Sequence, residues 1–215
     1  MDLIHPKANE YVDQYSNATP PVLKAMYEAI MAEHPHAHLQ SNWNQGGFLA
    51  FFSKMLQPKY IVEIGTFNGF STLCLAEGLV AGGQIDTMEL REEDAKRAQS
   101  YFNQYGKGKS IHQHIGDAKT ILPTLPHLYD LAFIDADKTG YVDYYTLLKP
   151  KMSTNGIIIA DNTLFHGEVL EEKISGKNAK AIQAFNELVA NDDETEKIML
   201  TIRDGLTLIR KKIRI

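Results

Sequence analysis

The chain has 215 residues, 44% of them hydrophobic and 23% charged, an ordinary globular composition in a length suited to a single domain spanning residues 1–215. A formal charge of −5 speaks against a nucleic-acid backbone as the partner, without excluding tRNA. Cys74 is the only cysteine, which rules out an intrachain disulfide and suits a reducing, cytoplasmic setting.

The opening MDLIHPKANEYVDQYSN lacks the basic-then-apolar order of a signal peptide. No apolar run approaches the roughly 20 residues that cross a bilayer, so no membrane partner is expected. Residues 1–57 carry a helical pattern, broken at Pro20-Pro21 and around Pro35, expected as a lid or interface over one edge of a sheet. In the second break His34, His36 and His38 form H-x-H-x-H. The intervening proline and loop context make this a surface cluster rather than a metal site.

From residue 60 strand-like and helical runs alternate. YIVEIG (60–65), QIDTMEL (84–90), SIHQHIG (110–116), DLAFID (130–135) and GIIIAD (156–161) are strands by their β-branched, apolar content. GFSTLCLAEGLVA, EEDAKRAQSYFNQYG, AKTILPTL and GYVDYYTLLKP between them are long enough for crossover helices. The class is α/β, with a parallel sheet and helices on both faces. KIMLTI (197–202) and GLTLIRK (205–211), joined through Arg203-Asp204-Gly205, predict an antiparallel hairpin at its end. The tail RKKIRI (210–215) reads as the solvated side of the last strand. Cys74 and Met88 read as core, His112 and His114 as one strand face, and Tyr141, Tyr144 and Tyr145 as helix packing or a dimer face.

In such a sheet, ligands bind beyond the carboxyl ends of the strands. After the first strand comes EIGTFNGFS, where Gly65 and Gly69 would let the backbone approach a ligand and offer amides at a helix start. This is not G-x-G-x-x-G, which weakens a dinucleotide reading. Glu89 ends the second strand, where a carboxylate can bond ribose hydroxyls. Gly116-Asp117-Ala118 after the third makes a small-residue turn able to flank an adenine. Asp135 ends the fourth strand and Asp161-Asn162 the fifth. Neighbouring strands lie roughly 5 Å apart, so three oxygen-bearing side chains converge. Two carboxylates that close require a shared proton or a cation, and the donors suit Mg²⁺ first, with Mn²⁺ or Ca²⁺ as alternatives. The structural alternative is that Asp161-Asn162 caps the next turn and Asp135 binds backbone amides. Lys138 follows at the next helix start as a candidate base, or as a solvated surface lysine. Asp137 is expected to face outward as a helix cap. LFHGEVLEEKISGKN (164–178) is a candidate substrate loop, from which His166 could reach an acceptor.

EIGTFNGFS, FIDADK and ADNTLF, in this order, resemble the cation-dependent O-methyltransferases, the family of catechol and caffeoyl-CoA O-methyltransferases; the resemblance covers nearly the whole chain. It implies a Rossmann-like class I methyltransferase fold, seven-stranded with one antiparallel strand, preceded by an N-terminal helical extension. It implies that Asp135, Asp161 and Asn162 hold the cation and that Lys138 acts as base. Ser41, Glu63, Gly65, Thr66, Gly69, Ser71, Glu89, Asp117, Ala118 and Asp135 are the implied contacts of S-adenosylmethionine (SAM). Glu89 falls on the ribose, and Ser71 near the methionine carboxylate. One departure stands out: in SNWNQGGFL (41–49) Asn44 and Gln45 replace acids usual in the family, and Trp43 is bulkier than usual. The expected reaction is methylation of one hydroxyl of a catechol-like small molecule, by a homodimer. A hydroxylated uridine in tRNA is the alternative acceptor, and an NAD-binding oxidoreductase and a non-catalytic cofactor-binding protein are the remaining readings.

Overall fold

The computed structural model describes residues 5–212, so the ends of the opening segment and of the RKKIRI tail lie outside the described residues. Three helices come first: α1 (Pro6–Tyr15), α2 (Lys24–Glu33) and α3 (Trp43–Leu56). Strands and helices then alternate as β1 (Tyr60–Ile64), α4 (Phe70–Ala76), β2 (Gln84–Glu89), α5 (Glu92–Gln104), β3 (Ile111–Ile115), α6 (Ala118–Ile121), β4 (Tyr129–Ile134), α7 (Tyr141–Leu148), β5 (Met152–Asp161), α8 (Lys177–Ala190), β6 (Thr195–Leu200) and β7 (Leu206–Lys211).

The seven strands form one sheet in the order β3-β2-β1-β4-β5-β7-β6. All pairings are parallel except those of β7 with β5 and β6. The chain therefore starts in the middle, winds to one edge through β3, and returns to the other side of β1. That reversal between β1 and β4 is the switch point where a crevice opens.

Alternation along the strands sorts the core into two layers. Ile61, Ile85, Leu131, Phe133 and Ile159 pack with α2, α3, α4 and α5 on one face. Val62, Met88, Ala132, Ile134 and Ile158 pack with α7 and α8 on the other. Burying each of these side chains other than Ala132 contributes about 1.5–3 kcal/mol. Cys74 and Met88 are core, as expected, and Tyr141 and Tyr145 pack edge-on against Phe185 of α8. Helices α2 and α3 cover a face of the sheet rather than its edge, because Leu23, Met26, Ile30, Leu49 and Ala50 need an apolar layer to bury against.

Several elements differ in length from the expectation. The helix expected over 69–81 stops at Ala76, because the end of α4 presses on α3: a Cβ at Gly78 would lie 2.1 Å from the Ser53 carbonyl oxygen. Pro123 turns the second half of AKTILPTL into a 3-10 turn. β5 begins at Met152, pairing with Tyr129 across a register shift. β6 lies two residues earlier than expected, so a five-residue turn, 201–205, joins it to β7.

Candidate active site

A cavity of about 830 Å³ opens at the carboxyl ends of the strands over the switch point. Its first half lies over β1, β2 and β3. Gly65 has φ 101°, and a Cβ there would meet the Asp135 carbonyl oxygen at 2.0 Å. Only glycine lets the ends of β1 and β4 close to this distance. Gly65, Thr66, Ser71, Glu89, Asp117 and Ala118 line this half. The Glu89 carboxylate accepts from the backbone amides of Phe67 (2.8 Å) and Arg91 (2.9 Å), which fixes its direction while leaving lone pairs for hydroxyl donors. Asp117 caps α6 by accepting from Lys119 N at 2.8 Å. Ser41, between α2 and α3, is buried and also lines the cavity.

Two expected contacts lie behind the wall. Glu63 has no exposed surface; its carboxylate accepts from the hydroxyls of Ser71 (2.6 Å), Thr87 (2.6 Å) and Thr72. Burial pushes this acid up to about 7, the three hydroxyls opposing the rise. It thus holds the cavity-lining Ser71 in place rather than lining the cavity. Gly69 faces the core, where a Cβ would meet the Phe102 ring at 2.4 Å, so packing of α5 explains this glycine. Asn68, between the two glycines, is a wall residue that the sequence reading missed. It is fully buried and neither atom of its amide has a protein partner. Such a group costs free energy unless a ligand satisfies it.

The other half lies over β4, β5 and the β6–β7 turn. Lys138 Nζ donates to Asp135 Oδ1 (3.1 Å), Asn162 Oδ1 (2.6 Å) and the Tyr141 hydroxyl (2.9 Å). Its side chain is 14% exposed, so it is not a solvated surface lysine. Asp161 is fully buried and does not line the cavity; its carboxylate accepts from Asn162 N (2.7 Å) and Arg203 Nη1 (3.4 Å). Burial, and then the charge of Asp135, push Asp161 up to about 6 despite Arg203 and Lys138. The anticipated repulsion between these two acids is therefore present, and neither Asp161 nor Asn162 caps the turn that follows, whose N-cap is Leu164. The chemistry of the donor set suits a divalent cation: Asp135 Oδ1 and Asn162 Oδ1 are hard oxygens that converge on one positive charge, the ammonium of Lys138, with the carboxylate of Asp161 buried behind them.

Asp204, expected only as a turn former, is buried and accepts from Asn162 Nδ2 (3.0 Å) and from His166 N, so it orients both. His166 lines the cavity with its ring largely exposed. Of the 164–178 segment, only Phe165, His166 and Asn178 reach the wall. Asp137 caps no backbone amide: it lines the cavity and accepts from the hydroxyls of Tyr144 and Thr139, because Tyr144 comes up beneath it from α7. His34 is not a surface residue; its ring is buried against Phe67 and bonded to Asp94 Oδ1 at 3.1 Å. His36 and His38 are exposed as expected, and no cluster of three His, Cys, Asp or Glu able to hold a metal occurs among the described residues. Gln45 accepts from Arg203 Nη1 (3.0 Å), while Trp43 packs on Tyr27 and Phe70.

A family model described as O-methyltransferase matches residues 13–212. A caffeoyl-CoA O-methyltransferase of Stellaria longipes is 28% identical over 97% of this chain and 86% of its own length. A probable caffeoyl-CoA O-methyltransferase of Dictyostelium discoideum is 34% identical over 78% of this chain and 75% of its own. Among solved structures, the SAH-bound methyltransferase PaMTH1 of Podospora anserina superposes with a TM-score of 0.90 at 27% identity, covering 99% of this chain and 100% of that one. The O-methyltransferase TomG of Streptomyces achromogenes, in complex with SAM, gives 0.85 at 25% identity, covering 95% and 96%.

Proposed function

The chain belongs to the O-methyltransferase family, and from that premise we propose that it methylates one hydroxyl of a vicinal dihydroxy aromatic small molecule, using SAM and a divalent cation. The observation that carries this reading is the convergence of Asp135 Oδ1 and Asn162 Oδ1 on the single positive charge of Lys138, at the end of the half of the cavity lined by Glu89. That geometry is suited to a cation held beside a nucleoside.

SAM would lie over β1 to β3, its ribose hydroxyls toward Glu89 and its amino-acid end toward Gly65, Ser71 and Asp135. Asn68 offers this ligand an unpaired amide. Asp135, Asp161 and Asn162 would hold the cation. When bound, SAM supplies an electrophilic methyl group and the cation lowers the pKa of the acceptor hydroxyl. Lys138 would act as the base from its neutral amine, reached once a bound cation takes over the oxygens of Asp135 and Asn162 and the ammonium has released its proton to solvent. Asp204 keeps the Asn162 amide turned so that its oxygen faces the site. Holding the hydroxyl in line with the methyl accounts for much of the remaining barrier.

The test is a methylation screen of small catechols and of total tRNA, with added magnesium and with excess chelator. Catechol methylation that vanishes on chelation and returns with metal is expected. Transfer that survives complete metal removal, or that occurs on tRNA alone, overturns the proposal.

A further inference from the structure

The acceptor half of the cavity contains a guanidinium that the catalytic steps leave unused. Arg203 sits in the 201–205 turn with φ 51°, a left-handed conformation that a non-glycine residue adopts at a cost. From there its side chain reaches the cavity wall. Its Nη1 donates to Gln45 Oε1 (3.0 Å) and Asp161 Oδ2 (3.4 Å), and its Nη2 to the Gln40 carbonyl (3.2 Å). Those bonds hold the planar group in one orientation. Of its five N–H groups two, on Nε and Nη2, have no partner among the described residues.

Two neighbours set the charge balance. Gln45 is a neutral amide, so Asp161 is the one carboxylate bonded to Arg203. That contact is long, at 3.4 Å, and engages only Nη1 of the guanidinium. The side chain of Gln40, buried on the same wall, has both amide atoms unpartnered. A fixed cation with spare N–H groups beside an unpaired amide is a recognition site for a planar anion.

We propose that Arg203, assisted by Gln40, selects acceptors that carry a carboxylate in addition to the vicinal hydroxyls. The inference rests on the O-methyltransferase reading above and names its substrate class.

Methylation of catechol, 3,4-dihydroxybenzoate and 3,4-dihydroxycinnamate, at saturating SAM and magnesium, tests it. The wild type is expected to favour at least one acid over catechol in kcat/KM. Arg203→Gln should reduce that preference about 10- to 100-fold, chiefly through the KM of the acid. Arg203→Lys should recover part of it. Gln45→Glu, which sets a second carboxylate against an intact Arg203, should reduce it as well. That variant decides the matter should Arg203→Gln fail to fold. Equal use of acids and catechol by the wild type, or a preference that Arg203→Gln and Gln45→Glu leave unchanged, overturns the inference while the methyltransferase reading stands. Failure to methylate any dihydroxy aromatic overturns both.

Discussion

Glu63 is an acid sealed under the cavity with three hydroxyls for company. Its folded pKa of about 7 lies above the ordinary 4.5. Between those values the folded chain keeps a proton that the unfolded chain has lost, so the stability attached to it falls as pH rises through this window. Glu63→Gln removes the effect. Urea unfolding at pH 8 should find the variant more stable than wild type, by at most about 3–4 kcal/mol at about 1.4 kcal/mol per pH unit of displaced ionisation. At pH 4.5 the difference should shrink; the same difference at both pH values counts against a buried proton. Lys138→Ala should lose at least about 100-fold in kcat while calorimetry finds SAM affinity little changed. Normal turnover would strip Lys138 of its role as base. That Asp135, Asn162 and Lys138 meet at the cavity was legible in the sequence because each follows a recognisable strand end; that Asp161 lies buried behind them was not. Arg203 and His34 were not: their partners lie 158 and 60 residues away, at Gln45 and Asp94. The sequence also could not separate a glycine at the cavity wall, Gly65, from one that faces a core ring, Gly69.

At the scale of elements, the site exists because β1 and β4 end together. The Asp135 amide donates to the Ile64 carbonyl (2.9 Å), and Gly65 turns away with its α-carbon against the Asp135 carbonyl. A methyl group at that point must push the two strand ends apart. Gly65→Ala should therefore cost about 2–4 kcal/mol, read by urea unfolding, and weaken SAM binding because Asp135 moves with the strand. An alanine variant of native stability and affinity would mean that the close approach is not needed. The parallel strands were legible from β-branched runs, and the final hairpin from its Asp-Gly pair. Helix ends were less so, since a long-range contact such as Gly78 on Ser53 sets where α4 stops. The face chosen by the N-terminal helices was equally hidden: an apolar stripe says that a surface must be buried, not which layer receives it.

Across the whole molecule, two hydrophobic layers hold the sheet while its carboxyl edge gathers acids that oppose folding. Asp161 is the fully buried carboxylate of the group proposed as cation ligands, and its folded pKa of about 6 exceeds the ordinary 3.8. Stability associated with its proton is lost as pH rises through about 6, and an ion at the site would replace that proton. A cation at about 100 times its Kd adds about 2.7 kcal/mol to the folded state. For a chain of this size, that amounts to a rise in Tm of roughly 5–10 °C. The gain should be large at pH 8, where Asp161 is ionised, and smaller at pH 5, where protons compete for the same oxygen. Asp161→Asn, which keeps the shape but removes the charge, should lose most of the gain at pH 8. Thermal unfolding with magnesium, manganese and calcium at both pH values reads all three effects, and a Tm indifferent to every ion at pH 8 would leave these oxygens to Lys138 and Arg203 alone.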